Sequence, residues 1–432
     1  MVSVRLRGGT QLSGMVAVPP SKSYTHRALF AALLASGTSE IINPLWSLDT
    51  EATMNTIAAF GSNIYRRGDR LLVESQGADS LSWTPCINVG ESGTTMRLST
   101  GIAALLDKPV LVYGSGRIGE RPIKPLLQAL AQLGARYLLS NGCCPPHVVM
   151  GPLRRGSARI DAWESSQYVS ALLYAAAGLG ELHVLVERVS SKPYIDMTIK
   201  VLEAFGVTVE REGYSRLWVK GRPKPTSYRV WGDWSSAASL AAAIAAAGGR
   251  AVLKGLARDD PHPDSSVADL LAVAGARVRW MGDAVEVSSP GPGGLEAFEW
   301  CFQDAPDLAM PAASLAAVAC GVSKLCCISR LSLKESDRVA AILDVLKTVG
   351  ATAYLVEDSR GACLEVRGLC GVRGGRAVID SHRDHRIAMM ASAICLSSLN
   401  ECIILGSDSV AKSYPGYWQA LRRLGAIVEE RR

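Results

Sequence analysis

Charged residues are scarce in this chain, and neither sign dominates. Asp, Glu, Lys and Arg make up 20% of its 432 residues, and the formal net charge is +6 at pH 7. So small an excess argues against a nucleic-acid-binding protein, although it is compatible with small anionic substrates. Because 48% of the residues are hydrophobic, we expect a folded chain, and its length predicts two or three domains.

Long hydrophobic runs are missing as well. The longest apolar stretches, near 237–248 and 308–322, are rich in Ala and broken by Ser, Pro or Gly, so neither predicts a membrane span. The N-terminal sequence MVSVRLRGGT lacks the apolar segment of a secretory signal. We therefore expect a cytoplasmic protein that does not act at a membrane.

The cysteines and histidines lack the spacing of a metal site. None of the eleven Cys forms a CxxC pair, and the neighbours Cys143–Cys144 and Cys326–Cys327 cannot chelate zinc as that motif does. This pattern is typical of reduced core thiols in a cytosolic protein. His382 and His385 could share a metal, but no further ligand set supports them. We expect no metal and no cofactor.

One sequence pattern recurs six times. Apolar residues three and four apart end in a glycine, and a short strand-like run follows; this predicts an amphipathic helix with a C-terminal glycine cap. These glycines recur about every 72 residues, at Gly61, Gly134, Gly206, Gly275, Gly350 and Gly425. A second strand-like run follows in the first five copies. The N-terminal segment VSVRLRGG is a surplus strand, and we infer that it closes the sixth copy.

Each copy also holds an earlier, Ala-rich helix that is apolar nearly all round and should be buried. These helices are predicted to begin near Ser23, Ser92, Ser166, Ser236, Asp307 and His385. Their polar N-terminal flanks share one position in the repeat, so they should converge in space. Helix N-termini attract anions, and three of these also carry Lys or Arg. Six such ends favour a shared anion site over a set of simple helix caps.

The six copies predict an α/β fold of two domains with three copies each. The first domain would be residues 21–230, and the second would combine 1–20 with 231–432. The chain then crosses twice between domains, which predicts a hinge near 19–21 and 229–234.

A glycine-rich segment, VYGSGRIG, matches the dinucleotide-binding pattern G-x-G-x-x-G. Pro122 and Pro125 place the next helix after the third glycine, and no Asp or Glu follows between 121 and 160 to bind a ribose. We therefore interpret this segment as a loop.

Several polar clusters in the first half are candidate ligand contacts. Lys22, Ser23 and Arg27 combine an ammonium, a hydroxyl and a guanidinium at one helix start, which favours a phosphate site. Gly93 lets backbone approach a ligand, and Arg121 lies just before a predicted helix. Neutral donors follow at Ser165, Ser166, Gln167 and Ser191; they could contact hydroxyls and a phosphate, or they could be helix caps.

The second half supplies acid–base groups. Asp307 and Glu335 are its candidate carboxylates. Lys334 and Arg338 are four residues apart, which would place them on one side of a helix with Glu335 beside them, although a solvated charge run has the same pattern. Further cations are Arg386 and Lys412.

Ten segments together resemble the 5-enolpyruvylshikimate-3-phosphate synthase family, in order from about residue 5 to 425. They are SKSYTHRALFAALL, SGTTMR, GERPIKPL, ESSQY, SSKPYID, GDWSSA, APDLAM, LKESDR, DHRIAM and AKSYPGYW. The resemblance implies two domains, each of three βαβαββ units with buried helices. It implies transfer of enolpyruvyl from phosphoenolpyruvate to the 5-hydroxyl of shikimate 3-phosphate, in the shikimate pathway to chorismate and aromatic amino acids. A monomer is expected.

The resemblance also implies residue roles. Shikimate 3-phosphate contacts would be Lys22, Ser23, Arg27, Ser165, Ser166, Gln167, Ser191, Asp307 and Lys334. Phosphoenolpyruvate contacts would be Lys22, Gly93, Arg121, Gln167, Arg338, Arg386 and Lys412. Asp307 would take the proton of the 5-hydroxyl, and Glu335 would protonate the methylene carbon. Lys22 or Lys412 would help phosphate to leave.

Three positions depart from the family pattern. Glu91 stands where many relatives have Asn, and Arg330 stands where some have Asn, so the ligand contacts at these two positions are expected to differ. Leu98 stands where many relatives have Pro, which leaves glyphosate sensitivity open.

Two alternative functions share features of this sequence. The sister transferase acting on UDP-N-acetylglucosamine usually has Lys-Asn at the first motif and a loop Cys, whereas this chain has Lys22-Ser23 and no Cys in 87–142. A non-catalytic or RNA-binding protein could share the fold, but the modest charge and complete acid–base set disfavour it.

Overall fold

The computed structural model describes residues 2–371 and 374–431. The chain divides into two compact units, one made of Met1–Pro19 with Gly232–Arg432 and the other of Pro20–Trp231. The chain therefore passes between the units twice.

Twenty-four strands are found in the described residues. They are β1 (Ser3–Arg7), β2 (Leu12–Ala17), β3 (Ser36–Ile42), β4 (Asn63–Arg67), β5 (Arg70–Gln76), β6 (Cys86–Asn88), β7 (Val110–Tyr113), β8 (Arg136–Leu139), β9 (His147–Met150), β10 (Ser157–Ala162), β11 (Glu181–Val189), β12 (Thr208–Glu212), β13 (Arg216–Lys220), β14 (Ser227–Arg229), β15 (Gly249–Lys254), β16 (Arg277–Met281), β17 (Ala284–Ser289), β18 (Glu299–Cys301), β19 (Val322–Cys326), β20 (Thr352–Asp358), β21 (Gly361–Arg367), β22 (Arg376–Asp380), β23 (Glu401–Leu405) and β24 (Ile427–Arg431).

The same part of the chain contains twelve α-helices. They are α1 (Lys22–Leu34), α2 (Leu48–Ala59), α3 (Gly93–Ala103), α4 (Lys124–Gln132), α5 (Gln167–Leu179), α6 (Pro193–Ala204), α7 (Trp234–Ala247), α8 (Val267–Val273), α9 (Ala309–Val318), α10 (Arg338–Val349), α11 (His385–Ser398) and α12 (Tyr417–Arg423). None of them is both long and apolar enough to cross a membrane.

The strands form six four-stranded sheets with one shared topology. The orders are β14-β3-β5-β4, β6-β7-β9-β8 and β10-β11-β13-β12 in the unit 20–231, and β2-β15-β17-β16, β18-β19-β21-β20 and β22-β23-β1-β24 in the other. In each sheet the first pair is parallel and the other two pairs are antiparallel. The six-copy α/β prediction is confirmed.

The N-terminal strand completes the last copy. Val4 of β1 pairs with Ile404 of β23 on one side and with Glu430 of β24 on the other, both antiparallel. The inferred role of VSVRLRGG is therefore confirmed.

The Ala-rich helices form the interior of each unit. α1, α3 and α5 are buried in one unit, and α7, α9 and α11 in the other. Small side chains let these helices approach closely: a Cβ on Gly101 of α3 would lie 2.6 Å from the carbonyl oxygen of Ala171 in α5. Their predicted burial is confirmed.

The six cap glycines have the backbone that the pattern requires. Their φ angles are positive, from 81° at Gly350 to 102° at Gly61, a region that glycine adopts without steric cost. The segment VYGSGRIG is not a plain loop, because Gly116–Glu120 forms a short 3₁₀ helix, and α4 begins only at Lys124.

The expectation of reduced thiols is wrong for most cysteines. The structure forms four disulfides: Cys143–Cys144, Cys301–Cys327, Cys320–Cys370 and Cys395–Cys402. The free cysteines of the described residues are Cys86, Cys326 and Cys363. Sheet pairing brings together cysteines 26 and 50 residues apart, which sequence spacing does not reveal.

Candidate active site

In the unit 20–231, the start of α1 carries the first cation. Ser21 caps the helix by accepting a hydrogen bond from the backbone N–H of Tyr24. The Nζ atom of Lys22 lies 2.8 Å from Oδ2 of Asp49 in the first turn of α2. Asp49 was not identified from the sequence, because it is 27 residues away in a different helix.

Arg27 is held rigidly one turn further along α1. Only 2% of this residue is exposed. Its guanidinium donates to Oγ1 of Thr198 at 2.9 Å, to the carbonyl of Ser23 at 2.9 Å and to the carbonyl of Tyr194 at 3.0 Å. Burial lowers the pKa of Arg27, but an arginine keeps its charge at any working pH. The unit thus holds a pre-oriented cation.

Gln167 joins two of the buried helices. Its Nε2 donates to Oγ1 of Thr94 at 2.9 Å, and its Oε1 accepts from Nη1 of Arg97 at 2.9 Å. Arg97 also donates to the carbonyl of Pro122 at 3.1 Å. The N-termini of α3 and α5 therefore converge, as the repeat position predicted.

Gly93 and Arg121 belong to the same cluster. A Cβ added to Gly93 would lie 2.5 Å from Nη1 of Arg121 and 3.0 Å from Nη1 of Arg97. Any larger residue at Gly93 must therefore displace a guanidinium. The structure brings together Gly93, Arg121 and Gln167, which the sequence motifs had named separately.

The candidate serines lie at helix starts in this unit. Ser165 accepts from the backbone N–H of Gln167 at 3.3 Å. Ser166 precedes α5 without a capping hydrogen bond from its side chain, so capping does not account for it. Ser191 precedes α6 in the left-handed region, with φ of 53°, a strained backbone for a residue with a Cβ.

In the other unit, Arg338 organises three carboxylates. Its Nη1 lies 2.8 Å from Oδ1 of Asp307, its Nη2 lies 2.6 Å from Oε2 of Glu335, and its Nε lies 2.8 Å from Oδ2 of Asp384. The side chain is 1% exposed. Although burial opposes it, the surrounding carboxylates raise the pKa of Arg338 well above its ordinary value.

Asp307 bridges two arginines. Its Oδ2 lies 2.8 Å from Nη2 of Arg386, while Oδ1 faces Arg338. Burial favours the protonated form of Asp307, but Arg386, Arg338 and Lys334 outweigh it and hold the pKa of this carboxyl well below its usual range. Asp307 is therefore an ionised carboxylate in the free protein.

The region from Lys334 to Arg338 differs from the prediction. Lys334 ends a 3₁₀ helix, Ser329–Leu333, and α10 begins only at Arg338. Asp337 caps α10 by accepting from the N–H of Ala340 at 3.1 Å, so the helix cannot include Lys334. The prediction that Lys334 and Arg338 lie on one side of a helix is wrong, because the side chain of Asp337 caps the helix and makes it begin at Arg338.

Lys412 and the two histidines each have a polar partner in the same unit. The Nζ atom of Lys412 donates to the carbonyl of Arg383 at 2.9 Å. His382 lies 3.1 Å from Asp344, and His385 lies 3.8 Å from Asp384. The two histidines thus have different acidic neighbours.

Two acidic residues of this cluster carry no role in the sequence motifs. Asp384 caps α11 by accepting from the N–H of Arg386 at 2.9 Å and also accepts from Ser336 at 3.1 Å. Asp264 is buried beside Ser235, and burial together with the charge of Asp307 raises its pKa. A capping Asp was the only sequence signal for Asp384, and Asp264 had none.

The three departures from the family pattern have structural partners. Arg330 is buried and donates to the carbonyl of Gln303. Leu98 is fully buried in α3. The carboxyl carbon of Glu91 would lie 2.7 Å from a Cβ on Gly116, so Glu91 packs against the 3₁₀ turn before Arg121.

Solved structures share this architecture. The EPSP synthase from Acinetobacter baumannii superposes with a TM-score of 0.81 at 26% identity, covering 100% of both chains. The enolpyruvyl transferase NikO from Streptomyces tendae gives a TM-score of 0.77 at 18% identity, covering 100% of this chain and 99% of its own, and shares the fold. Two units of three repeats with buried helices are thus the enolpyruvyl transferase fold.

Sequence comparison identifies the family within this fold. The profile of EPSP synthase (3-phosphoshikimate 1-carboxyvinyltransferase) matches residues 6–421. The 3-phosphoshikimate 1-carboxyvinyltransferase of Aeropyrum pernix is 44% identical over 418 residues, covering 97% of this chain and 95% of the relative. That of Methanopyrus kandleri is 37% identical over 436 residues, covering 99% of each. The chain belongs to the EPSP synthase family.

Proposed function

We propose that this chain transfers the enolpyruvyl group of phosphoenolpyruvate to the 5-hydroxyl of shikimate 3-phosphate and releases phosphate. This is the step that leads through the shikimate pathway to chorismate and the aromatic amino acids. Membership of the family supports the activity. The observation that carries the chemistry is the cluster of Asp307, Glu335, Arg338 and Arg386, which joins two carboxylates to two anion-binding guanidiniums.

Shikimate 3-phosphate is proposed to bind mainly to the unit 20–231. Arg27, already anchored by three hydrogen bonds, loses little side-chain freedom when it binds a phosphate. Hydroxyl and amide donors near the helix starts would contact the phosphate and ring hydroxyls: Ser23, Ser165, Ser166, Gln167 and Ser191. Lys22, Lys334 and Asp307 complete the proposed set.

The proposed contacts of phosphoenolpyruvate are Lys22, Gly93, Arg121, Gln167, Arg338, Arg386 and Lys412. The close approach of Gly93 to Arg121 supports a site in which backbone and guanidinium reach the same small anion. The hinge at the two chain crossings stays a prediction.

The contacts with arginine make the basicity of Asp307 depend on whether substrate is bound. Asp307 and Glu335 both contact Arg338 before substrate binds. The carboxylate of phosphoenolpyruvate would compete for Arg338 and Arg386, and this would weaken the contacts that stabilise the ionised side chains. Substrate binding would then raise the pKa of Asp307, which the arginines and Lys334 hold low in the free protein, so that this carboxylate could take up a proton.

The proposed reaction is addition followed by elimination. Glu335 donates a proton to the methylene carbon, positive charge develops at C2, and the 5-hydroxyl oxygen attacks C2 as Asp307 takes its proton. The tetrahedral adduct then loses phosphate, with Lys22 or Lys412 neutralising the leaving group, and loses a methyl proton to ionised Glu335. These steps need no covalent bond between enzyme and substrate, no metal and no cofactor.

We further propose a monomeric enzyme that acts in the cytoplasm and uses no nucleic acid partner.

A phosphate-release assay tests the function directly. The enzyme is incubated with phosphoenolpyruvate and either shikimate 3-phosphate or UDP-N-acetylglucosamine, and products are identified by mass. The proposal is supported if phosphate is released from phosphoenolpyruvate when shikimate 3-phosphate is the acceptor and not when UDP-N-acetylglucosamine is. Release only with the nucleotide sugar, or with neither acceptor, would contradict it.

A further inference from the structure

Two free cysteines meet in the sheet β18-β19-β21-β20. Cys326 is the last residue of β19. The antiparallel register pairs Leu325 with Leu364, so the next positions, Cys326 and Cys363, lie opposite each other. The β20–β21 hairpin adds Asp358, which pairs with Gly361 two residues before Cys363.

These three side chains form a compact donor set. The two sulfur atoms and a carboxylate oxygen all lie within 4.8 Å of one another. Both thiols are fully buried, whereas the Asp358 side chain is 22% exposed. Two thiolates bound to one tetrahedral zinc ion are separated by about 3.8 Å, because each zinc–sulfur bond is about 2.3 Å. The donors therefore need only small shifts to share one ion.

We propose that Cys326, Cys363 and Asp358 form a binding site for a thiophilic divalent metal ion of the zinc class. Two sulfur ligands and one carboxylate oxygen are a donor set that zinc accepts, and the fourth position would face the exposed edge of Asp358. None of the proposed substrate contacts belongs to this set, so the site is separate from the reaction chemistry.

The surrounding charges are compatible with a divalent ion. Asp358 accepts from Nζ of Lys324 at 2.9 Å and from Nη2 of Arg360 at 2.7 Å. These donors orient the carboxylate, as outer hydrogen bonds do for metal ligands in general. Zinc binds cysteines as thiolates, so two positive charges arrive while two protons leave. The net charge of the cluster is then unchanged, and the two cations need not be expelled.

A bound ion would connect three strands of this sheet. Cys326, Asp358 and Cys363 come from β19, β20 and β21 respectively. Since an ion that binds only the folded state stabilises it, the unfolding temperature should rise with the concentration of free metal. The competing fate of the same two thiols is a fifth disulfide, which would leave no site for the ion.

The test measures the number of metal ions bound per chain. The protein is purified without oxygen, so that Cys326 and Cys363 stay reduced, and without reductant, so that the four disulfides remain. Cd²⁺ serves as the probe, because its thiolate complexes absorb in the ultraviolet, and Zn²⁺ is measured by equilibrium dialysis. We expect one ion per chain with a thiolate band. Cys326→Ser and Cys363→Ser should lose the band and the bound ion. Asp358→Asn should weaken affinity by about tenfold or more.

Cys86→Ser is the matched control, because Cys86 is the third free cysteine and is exposed. It should bind the ion as the unmodified protein does. If either serine variant folds poorly, the alanine variant of the same residue, Cys326→Ala or Cys363→Ala, replaces it. The number of ions bound per wild-type chain still tests whether the site exists. The proposal is overturned by free thiols at Cys326 and Cys363 without bound Cd²⁺ or Zn²⁺, by a Cys326–Cys363 disulfide in the peptide map, or by full binding in the Cys363 variants.

Discussion

Lys334 should make the binding of shikimate 3-phosphate depend on pH near neutrality. Burial lowers the pKa of this lysine to about 7; Asp307 opposes the shift, and Arg330 strengthens it. If the proposed contact requires the ammonium form, the apparent affinity equals the intrinsic affinity times the protonated fraction. One unit above a pKa of about 7, roughly one lysine in eleven is charged. Affinity should therefore fall about tenfold per pH unit above 7 until the bound-state pKa is reached.

Isothermal titration calorimetry measures the affinity for shikimate 3-phosphate in the absence of phosphoenolpyruvate. Measurements from about pH 6 to about pH 9 cover both sides of the pKa of Lys334. A phosphate monoester that titrates near pH 6, like phosphorylated side chains, is almost fully ionised over most of this range. Titration at pH 8 in two buffers of different ionisation enthalpy should reveal uptake of about one proton by the wild-type protein.

Lys334→Arg provides the decisive comparison, because a guanidinium stays charged throughout this range. Its affinity should be nearly flat above pH 7, with no proton uptake. Lys347→Arg, at an exposed position in the last turn of α10, should retain the wild-type slope. Equal slopes for the wild type and Lys334→Arg, or no proton uptake by the wild type, would refute the reasoning.

The same pKa shift predicts a trend in stability. An unfolded lysine has a pKa of about 10.4, so between pH 7 and pH 10 the unfolded chain binds a proton that the folded chain does not. The free energy of unfolding should therefore rise with pH over this window. Chemical denaturation of the wild type and Lys334→Arg at matched pH would detect the difference.

Three further predictions concern the proposed contacts. Glu335→Gln should lower kcat by about 10²–10⁴-fold and leave the affinity for shikimate 3-phosphate, measured by calorimetry, unchanged. The surface variant Glu430→Gln is the control and should behave as the wild type does. A near-normal kcat of Glu335→Gln would show that Glu335 has no part in the mechanism. Arg27→Lys should mainly raise KM for shikimate 3-phosphate and Arg121→Lys that for phosphoenolpyruvate, since each loses its bidentate fork; equal shifts of one constant in both variants would contradict the assignment. Gly93→Ala should raise KM for phosphoenolpyruvate more than for shikimate 3-phosphate, because its methyl group would meet Arg121; steady-state kinetics showing the reverse order would exclude this geometry.

Local and periodic features could be predicted from the sequence alone. Helix periodicity and cap glycines depend on residues a few positions apart, so Gly61, Gly350 and the buried Ala-rich helices were found without any structure. The surplus strand at the N-terminus followed from the count of copies, and pairing of Val4 with both neighbouring strands confirmed it. The ordered motifs were sufficient to indicate the family.

Only the tertiary structure decided which side chains meet. Asp384 lies 46 residues from Arg338, and Gln167 lies 70 residues from Arg97, yet each pair is in hydrogen-bond contact. The cap at Asp337 separated Lys334 from α10, although the spacing alone suited one helix. The cysteines make the same point, because two in register on neighbouring strands stay free while others form disulfides. Sequence patterns record short separations along one chain, whereas charge pairing, disulfides and metal donor sets depend on distances that sheet topology sets between remote segments.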